Sequence, residues 1–382
     1  MKGKKSALPF KTRRSESRRK QIWNKKRNFW STLRRFQHSQ VGSYSSNRRS
    51  HDKVATHQIP SFPGVPSESP NDVVLMTGGP YTLDAEVYPS SSGCSIPPLP
   101  SLRYNHQTFL TSDPIPMVAT CGGTADNIKV KTSCLVLDVA NQRWDERRLG
   151  DLTMPRVHGA VAVLRDIGVF YLGGMDPEIR SKTTSTSDFL AARSLQWTAG
   201  PTLPTLSTSM AGFCAVPITP TSFITIDNDS IFEFDASIAG PTSNEGWKKW
   251  PEVKTSILYF ACAKIGDKVI ISGGRRDSHT LEYGYTDILD ITTRKIFKAG
   301  HRVSTRIGPG HALVTIRSGA HDKLFALGGL GPSARVINGT VVDTVEEWVE
   351  ETATWKVAAS LTRGRGVFGA VALPKDFVCQ SK

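Results

Sequence analysis

Between residues 71 and 379 an apolar run ends five times in a pair of glycines: Gly78-Gly79, Gly122-Gly123, Gly173-Gly174, Gly273-Gly274 and Gly328-Gly329. From one second glycine to the next the intervals are 44, 51, 100 and 55 residues. A period of roughly 40–55 residues marks blade-by-blade architectures, and the interval of 100 is two periods with one pair missing. Large aromatics keep a second clock: Trp144 follows Gly123 by 21 residues, Trp197 follows Gly174 by 23, Phe297 follows Gly274 by 23 and Trp355 follows Gly329 by 26. Counting back about 22 residues from Trp250 reaches Asp227-Asn228, at the end of the run 222–226. Asn and Asp are the side chains that best tolerate the positive φ a glycine pair implies. A sixth, degenerate unit is therefore placed there.

Each unit reads as four short strands. Around Gly173, the small apolar run 158–164 suits a strand crowded near a central axis. Arg165–Gly168 is a turn, Val169–Leu172 is a second strand stopped by the glycines, and Gln196-Trp197 opens an outer strand. Polar, Gly/Pro-rich clusters bound the runs, and no amphipathic helix beyond about three turns follows residue 70. The expected fold is all-β, a six-bladed propeller over 71–379. The array starts at the Gly-Gly strand 73–77 with no small strand before it, and ends on the small strand 367–373 with no Gly-Gly strand after it. Pairing of these two ends would close the ring and remove both orphan edges.

The ordering of small strand, Gly-Gly strand, strand ending near an acid and then Trp resembles the kelch repeat, best over 156–197 and over 104–144, where Cys134–Asp138 precedes Trp144. The resemblance covers about 300 residues. It departs at Asp227-Asn228, at Phe297 in place of Trp, and in the first unit, where 96–100 (Ile-Pro-Pro-Leu-Pro) stands in place of a Trp. It implies a monomeric propeller that binds a protein or peptide through loops at one mouth. Some enzymes also resemble kelch propellers, a copper radical oxidase and a sialic acid mutarotase among them, so a small-molecule or sugar-acting enzyme is the alternative. The Tyr, His and thioether Cys set of the oxidase has no counterpart on corresponding loops, and no G-x-S-x-G, H-E-x-x-H or P-loop occurs. No enzyme activity, cofactor or metal is expected.

In kelch adaptors of ubiquitin ligases, arginines in the loops that return from outer to inner strand bind acidic peptides. Arg103, Arg156, Arg306, Arg363 and Arg365 occupy such returns here, and the resemblance makes them candidates for a partner site. The bland alternative is that each bridges blades. His106, His158 and His311 precede or open small strands and join the candidates; they belong to units two, three and six, and with six opposite three across the ring they do not form a metal site without other ligands.

Charge divides the chain. Residues 1–50 hold sixteen Lys/Arg against the single acid Glu16, whereas the remainder is nearly neutral, so the net +14 describes an arm rather than the propeller. Residues 1–38 form this basic arm, with Ile22, Phe29, Leu33 and Phe36 near helical spacing. It is open to three readings: a solvated tail, a nuclear-localisation or polyanion-binding tract, or a presequence or membrane-surface helix. Residues 39–70 are a Ser/Pro-rich linker before the propeller. No secretory h-region and no apolar run of about 18 residues occurs, so the cytoplasm is the expected compartment, with the nucleus as alternative. Six cysteines lie at 94, 121, 134, 214, 262 and 379 without a C-x-x-C. Cys214 and Cys262 are expected as buried reduced thiols, and a disulfide among Cys94, Cys121 and Cys134 is conceivable.

Overall fold

The second strand of each unit ends in an apolar or β-branched run walled in on both faces, as a strand between two neighbouring blades must be. In the computed structural model, Val73–Thr77, Val118–Cys121, Gly168–Leu172, Ser222–Ile226 and Val269–Ser272 are buried throughout. Residues 72–379 are described, apart from 91–92, 112–115, 126–128, 177–181, 205–211, 228, 252–254, 256, 258, 275–283, 301–309 and 331–340. The basic arm, the linker and Arg306 lie outside the described residues.

The strands form six antiparallel blades. Blade two runs Gln107–Leu110, Val118–Cys121, Cys134–Asp138 and Arg143–Asp145, and blades three to six repeat that order. Blade three comprises Ala160–Leu164, Gly168–Leu172, Ser187–Ala191 and Thr198–Ala199; blade four comprises Cys214–Pro217, Ser222–Ile226, Ile231–Asp235 and Trp247–Lys249. Blade five has Ala261–Ile265, Lys268–Ser272, Thr286–Asp290 and Lys295–Ala299; blade six has Ala312–Ser318, His321–Leu327, Thr344–Val349 and Thr354–Ser360. Blade one is built from both ends of the array: Gly369–Pro374 is its innermost strand, paired with Asp72–Thr77, which pairs outward with Ala85–Tyr88. The closing register runs from Asp72 opposite Pro374 to Thr77 opposite Gly369, so the C-terminal strand shuts the ring as the sequence predicts. No described helix is long and apolar enough to cross a membrane.

The core lies in the seams between blades. Six buried clusters correspond to the six seams, and the seam between blades three and four is a stack of phenylalanines, with Phe170 5.1 Å from Phe223 and 5.6 Å from Phe234 between ring centres. Each such ring contributes about 1.5–3 kcal/mol on burial.

The aromatic clock needs two corrections. Trp144 lies opposite Leu137, the fourth residue of the third strand; Trp355 lies opposite Trp348 and Trp197 takes the matching place beside Phe189↔Thr198. In blade four that place belongs to Trp247, opposite Phe234, while Trp250 sits beyond the strand, buried, with Nε1 donating to Glu233. In blade five it belongs to Ile296, opposite Leu289, and the strand's alternation turns Phe297 outward to 50 % exposure. Blade one lacks a Trp, but Leu99 is buried and its N–H meets the Leu83 carbonyl at 2.7 Å, as Leu361 meets Asp343 and Leu203 meets Ser185.

All six cysteines are paired, which corrects the reading of Cys214 and Cys262 as thiols. Cys214 joins Cys262, Cys121 joins Cys134, and Cys94 joins Cys379 rather than either of its neighbours in sequence. Ring closure brings Cys379, at the end of the helical turn Lys375–Val378, beside the connection that carries Cys94. A linear reading of spacing offers no sign of that proximity.

Candidate functional site

The glycine pairs sit where second strands end, on the face at which innermost strands begin. In every blade the residue at the first-glycine position donates its N–H to the carbonyl of the residue just before, or opening, the third strand, at 3.0–3.3 Å. Asp227 makes this bond to Ser230 in blade four, so the missing pair preserves the local hydrogen bond across a short turn. Elsewhere glycine is required by crowding. A Cβ on Gly78 would stand 2.5 Å from the Arg103 carbonyl, and one on Gly122 2.7 Å from that of Arg156, with both backbones at positive φ.

The arginines cause that crowding. Gly79, Gly123 and Gly329 donate their N–H groups to the carbonyls of Arg103, Arg156 and Arg365 in the next blade, at 3.1, 2.7 and 2.6 Å. Each guanidinium then turns into its own blade. Arg103 Nη1 donates to the carbonyls of Gly122 and Ser133, Arg156 Nη1 to those of Gly173 and Thr186, and Arg365 Nη1 to those of Gly78 and Asp84. One residue type thus ties the preceding blade through its main chain and its own blade through its side chain, a use suited to a rigid five-donor fork.

The second position of the third strand completes the latch. It holds Glu86 in blade one and Asp188 in blade three, which accept from Nε of Arg365 at 3.1 Å and of Arg156 at 2.5 Å. Blade two has Leu135 there, opposite Thr120, and buried Arg103 Nε meets no acceptor among the described residues. Burial brings the Arg103 pKa down to about 10, opposed first by Tyr171 and then by Glu146 and Asp151. Arg103, Arg156 and Arg365 are 1, 0 and 2 % exposed. This corrects their candidacy as partner-binding forks: their donors are directed inward to the chain itself.

The histidines divide similarly. His106 and His311 stand at the start of innermost strands and reach back to the preceding blade, His106 Nε2 to Thr77 Oγ1 at 2.9 Å and His311 Nε2 to the Ser272 carbonyl at 3.0 Å. The N–H of Gly369 also donates to His106 Nε2, at 3.1 Å. Burial, then the Arg103 charge, pushes the His106 pKa down to about 3, so its ring is neutral at ordinary pH. His158 occupies a different place, one the sequence did not reveal. It has φ +56°, and its equivalents Asn105, Tyr259 and Val367 are at +55°, +60° and +48°. Val367 donates to the carbonyl of Gly310, Asn105 to that of Val367 and His158 to that of Asn105, at 2.8–3.2 Å, a series of main-chain bonds that runs along the mouth from blade six to blade three. A β-branched residue at positive φ is an outlier, so nothing in the sequence marks Val367 for this role.

Among the described residues, the mouth face at the seam of blades six and one presents side chains outward. Arg363 keeps a side chain 61 % exposed, with Nη1 2.9 Å from Asp84 Oδ2, and Tyr81 and Leu83 in the adjoining loop are 44 and 37 % exposed. The connections that leave Gly122-Gly123, Gly173-Gly174, Gly273-Gly274 and Gly328-Gly329 start on this face, whereas 165–167, 266–267 and 319–320 turn tightly on the opposite one. The connection after Gly173-Gly174 bears a further two-stranded piece, Met175–Asp176 with Lys182–Thr183. Among the described residues no three His, Cys, Asp or Glu side chains gather as metal ligands.

No protein-family profile matches the chain, and no curated protein matches it.

Proposed function

We propose that the chain is a kelch-type propeller that binds a protein or peptide partner at its mouth and carries no catalytic activity of its own. The observation that supports this reading best is the division within the arginine series. Arg103, Arg156 and Arg365 fix the mouth from inside, while Arg363, paired with Asp84, keeps its side chain exposed beside Tyr81 and Leu83. A rigid rim bearing a charged group and two apolar groups is the composition of a recognition patch, since rigid scaffolds present function on the loops between their strands. The spacing of Gly-Gly, the acid that ends the third strand, such as Asp138, and Trp supports the kelch assignment.

Affinity purification from the native source tests the reading. The full chain should retain a partner that the Arg363→Glu, Tyr81→Ala variant loses and that a variant of the opposite face, Ile238→Lys, keeps; Ile238 is exposed on the helical turn between the third and fourth strands of blade four. Retention by the mouth variant would remove the patch from consideration.

A further inference from the structure

The six seams are not fastened alike. The seams of blades six and one, one and two, and two and three carry the Gly–Arg latch. The seam of three and four packs phenylalanines, and that of five and six has the His311–Ser272 bond. At the seam of blades four and five the latch is missing on both sides. Blade four turns through Asp227–Ser230 without a glycine pair, and blade five has Ile257 two residues before its positive-φ Tyr259, where Arg103 precedes Asn105 by two. Among the described residues the side-chain bonds that cross there are Thr255 Oγ1 to the Asp227 carbonyl at 3.1 Å, Lys264 Nζ to the Ile218 carbonyl at 3.2 Å and, toward the opposite face, Arg294 Nη2 to Glu233 at 3.4 Å.

Cys214 and Cys262 meet in this seam. They belong to the innermost strands of blades four and five, which share no ladder, with Cα atoms 6.2 Å apart. Their proximity is therefore no by-product of strand pairing, in contrast to Cys121 and Cys134, which face each other in one register. Cys94–Cys379 holds the other weak point, the end of the closing strand, and spans 285 residues. One crosslink stands where the Gly–Arg latch is absent and the other where the chain ends meet.

We infer that Cys214–Cys262 is the covalent counterpart of the absent latch and Cys94–Cys379 the clasp of the closing strand, so that the propeller matures where a disulfide oxidant is present rather than in a reducing cytoplasm. In each step two cysteine thiols give two electrons and two protons to one glutathione disulfide, forming one protein S–S bond and two glutathione thiols. Constraint of a long loop in the unfolded chain is the source of the gain.

The test uses the full chain, equilibrated in glutathione redox buffer, alkylated with iodoacetamide and mapped without reduction. No cysteine should be alkylated before reduction and all six after it, with 94 linked to 379 and 214 to 262. Reducing the folded protein should lower its thermal midpoint by about 5–10 °C, and the Cys214→Ser, Cys262→Ser variant should be cut by protease first between blades four and five. If that variant does not fold, reduction of the folded wild type decides by the same midpoint. Alkylation of Cys214 or Cys262 in oxidised glutathione, different partners, or an unchanged midpoint on reduction would overturn the inference.

Discussion

Nε of Arg156 lies 2.5 Å from Oδ2 of Asp188, with both side chains wholly inside the protein. The pair joins a loop that begins one blade to the third strand of the same blade. The other Asp188 oxygen accepts from the N–H of Thr153 at 3.0 Å and from its hydroxyl, so the carboxylate is saturated by this one loop. Removal of either member leaves a buried charge without its partner, which costs about 3–5 kcal/mol. Asp188→Ala should therefore lower the unfolding free energy in urea by about that amount.

Glycine at the pair positions answers to contact as well as to backbone angle. Gly122→Ala would place a Cβ 2.7 Å from the Arg156 carbonyl and 2.8 Å from the Tyr171 hydroxyl, at φ +70°. Gly266 has φ +56° but nothing within 4 Å of an added Cβ. The first substitution should cost about 2–4 kcal/mol and the second about 1, read as denaturation midpoints. Equal losses would show that the backbone angle alone selects glycine.

Acid should loosen the seam of blades one and two. The folded His106 pKa, near 3, is below the ordinary value of 6.5. Above 6.5 the ring is neutral in both states and contributes no slope. Between the two values the unfolded chain binds a proton that the folded protein refuses, so stability falls as pH falls, by at most about 1.4 kcal/mol per pH unit. His106→Gln should flatten the difference in stability between pH 6.5 and pH 4. An unchanged slope would mean that the ring protonates in place.

Closure rests on Gly369–Pro374 and on Arg365 just before it. Deletion of 366–382 strips one edge of Asp72–Thr77 and should yield an aggregated or protease-labile product. A truncated chain that stays monomeric and unfolds cooperatively would contradict closure by this strand.

The blade count and the closure were legible in the sequence because both are consequences of strand order, which the Gly-Gly pairs punctuate. The aromatic clock was less reliable. Trp247 and Trp250 are three residues apart, and only pairing with Phe234 shows which one fills the blade. For the arginines, position was legible and direction was not. Arg363 and Arg365 are two residues apart in one loop, yet one faces solvent and the other is buried against Gly78 and Glu86. The groups that draw Arg365 inward, Glu86 and the Gly78 and Asp84 carbonyls, lie far away in sequence, and no local pattern connects them to it. Pairing of Cys214 with Cys262 depends on blade adjacency in the same way.

The division of the arginines is tested most directly by the unfolding free energies of two conservative variants, Arg156→Lys and Arg363→Lys. Lysine cannot reproduce a fork that serves the Gly173 and Thr186 carbonyls, the Thr186 hydroxyl and Asp188 together. Arg156→Lys should lose about 2–4 kcal/mol, and Arg363→Lys should stay within about 0.5 kcal/mol of the wild type. Equal effects, or a larger loss at Arg363, would contradict the assignment of Arg156 to the latch and of Arg363 to the recognition surface.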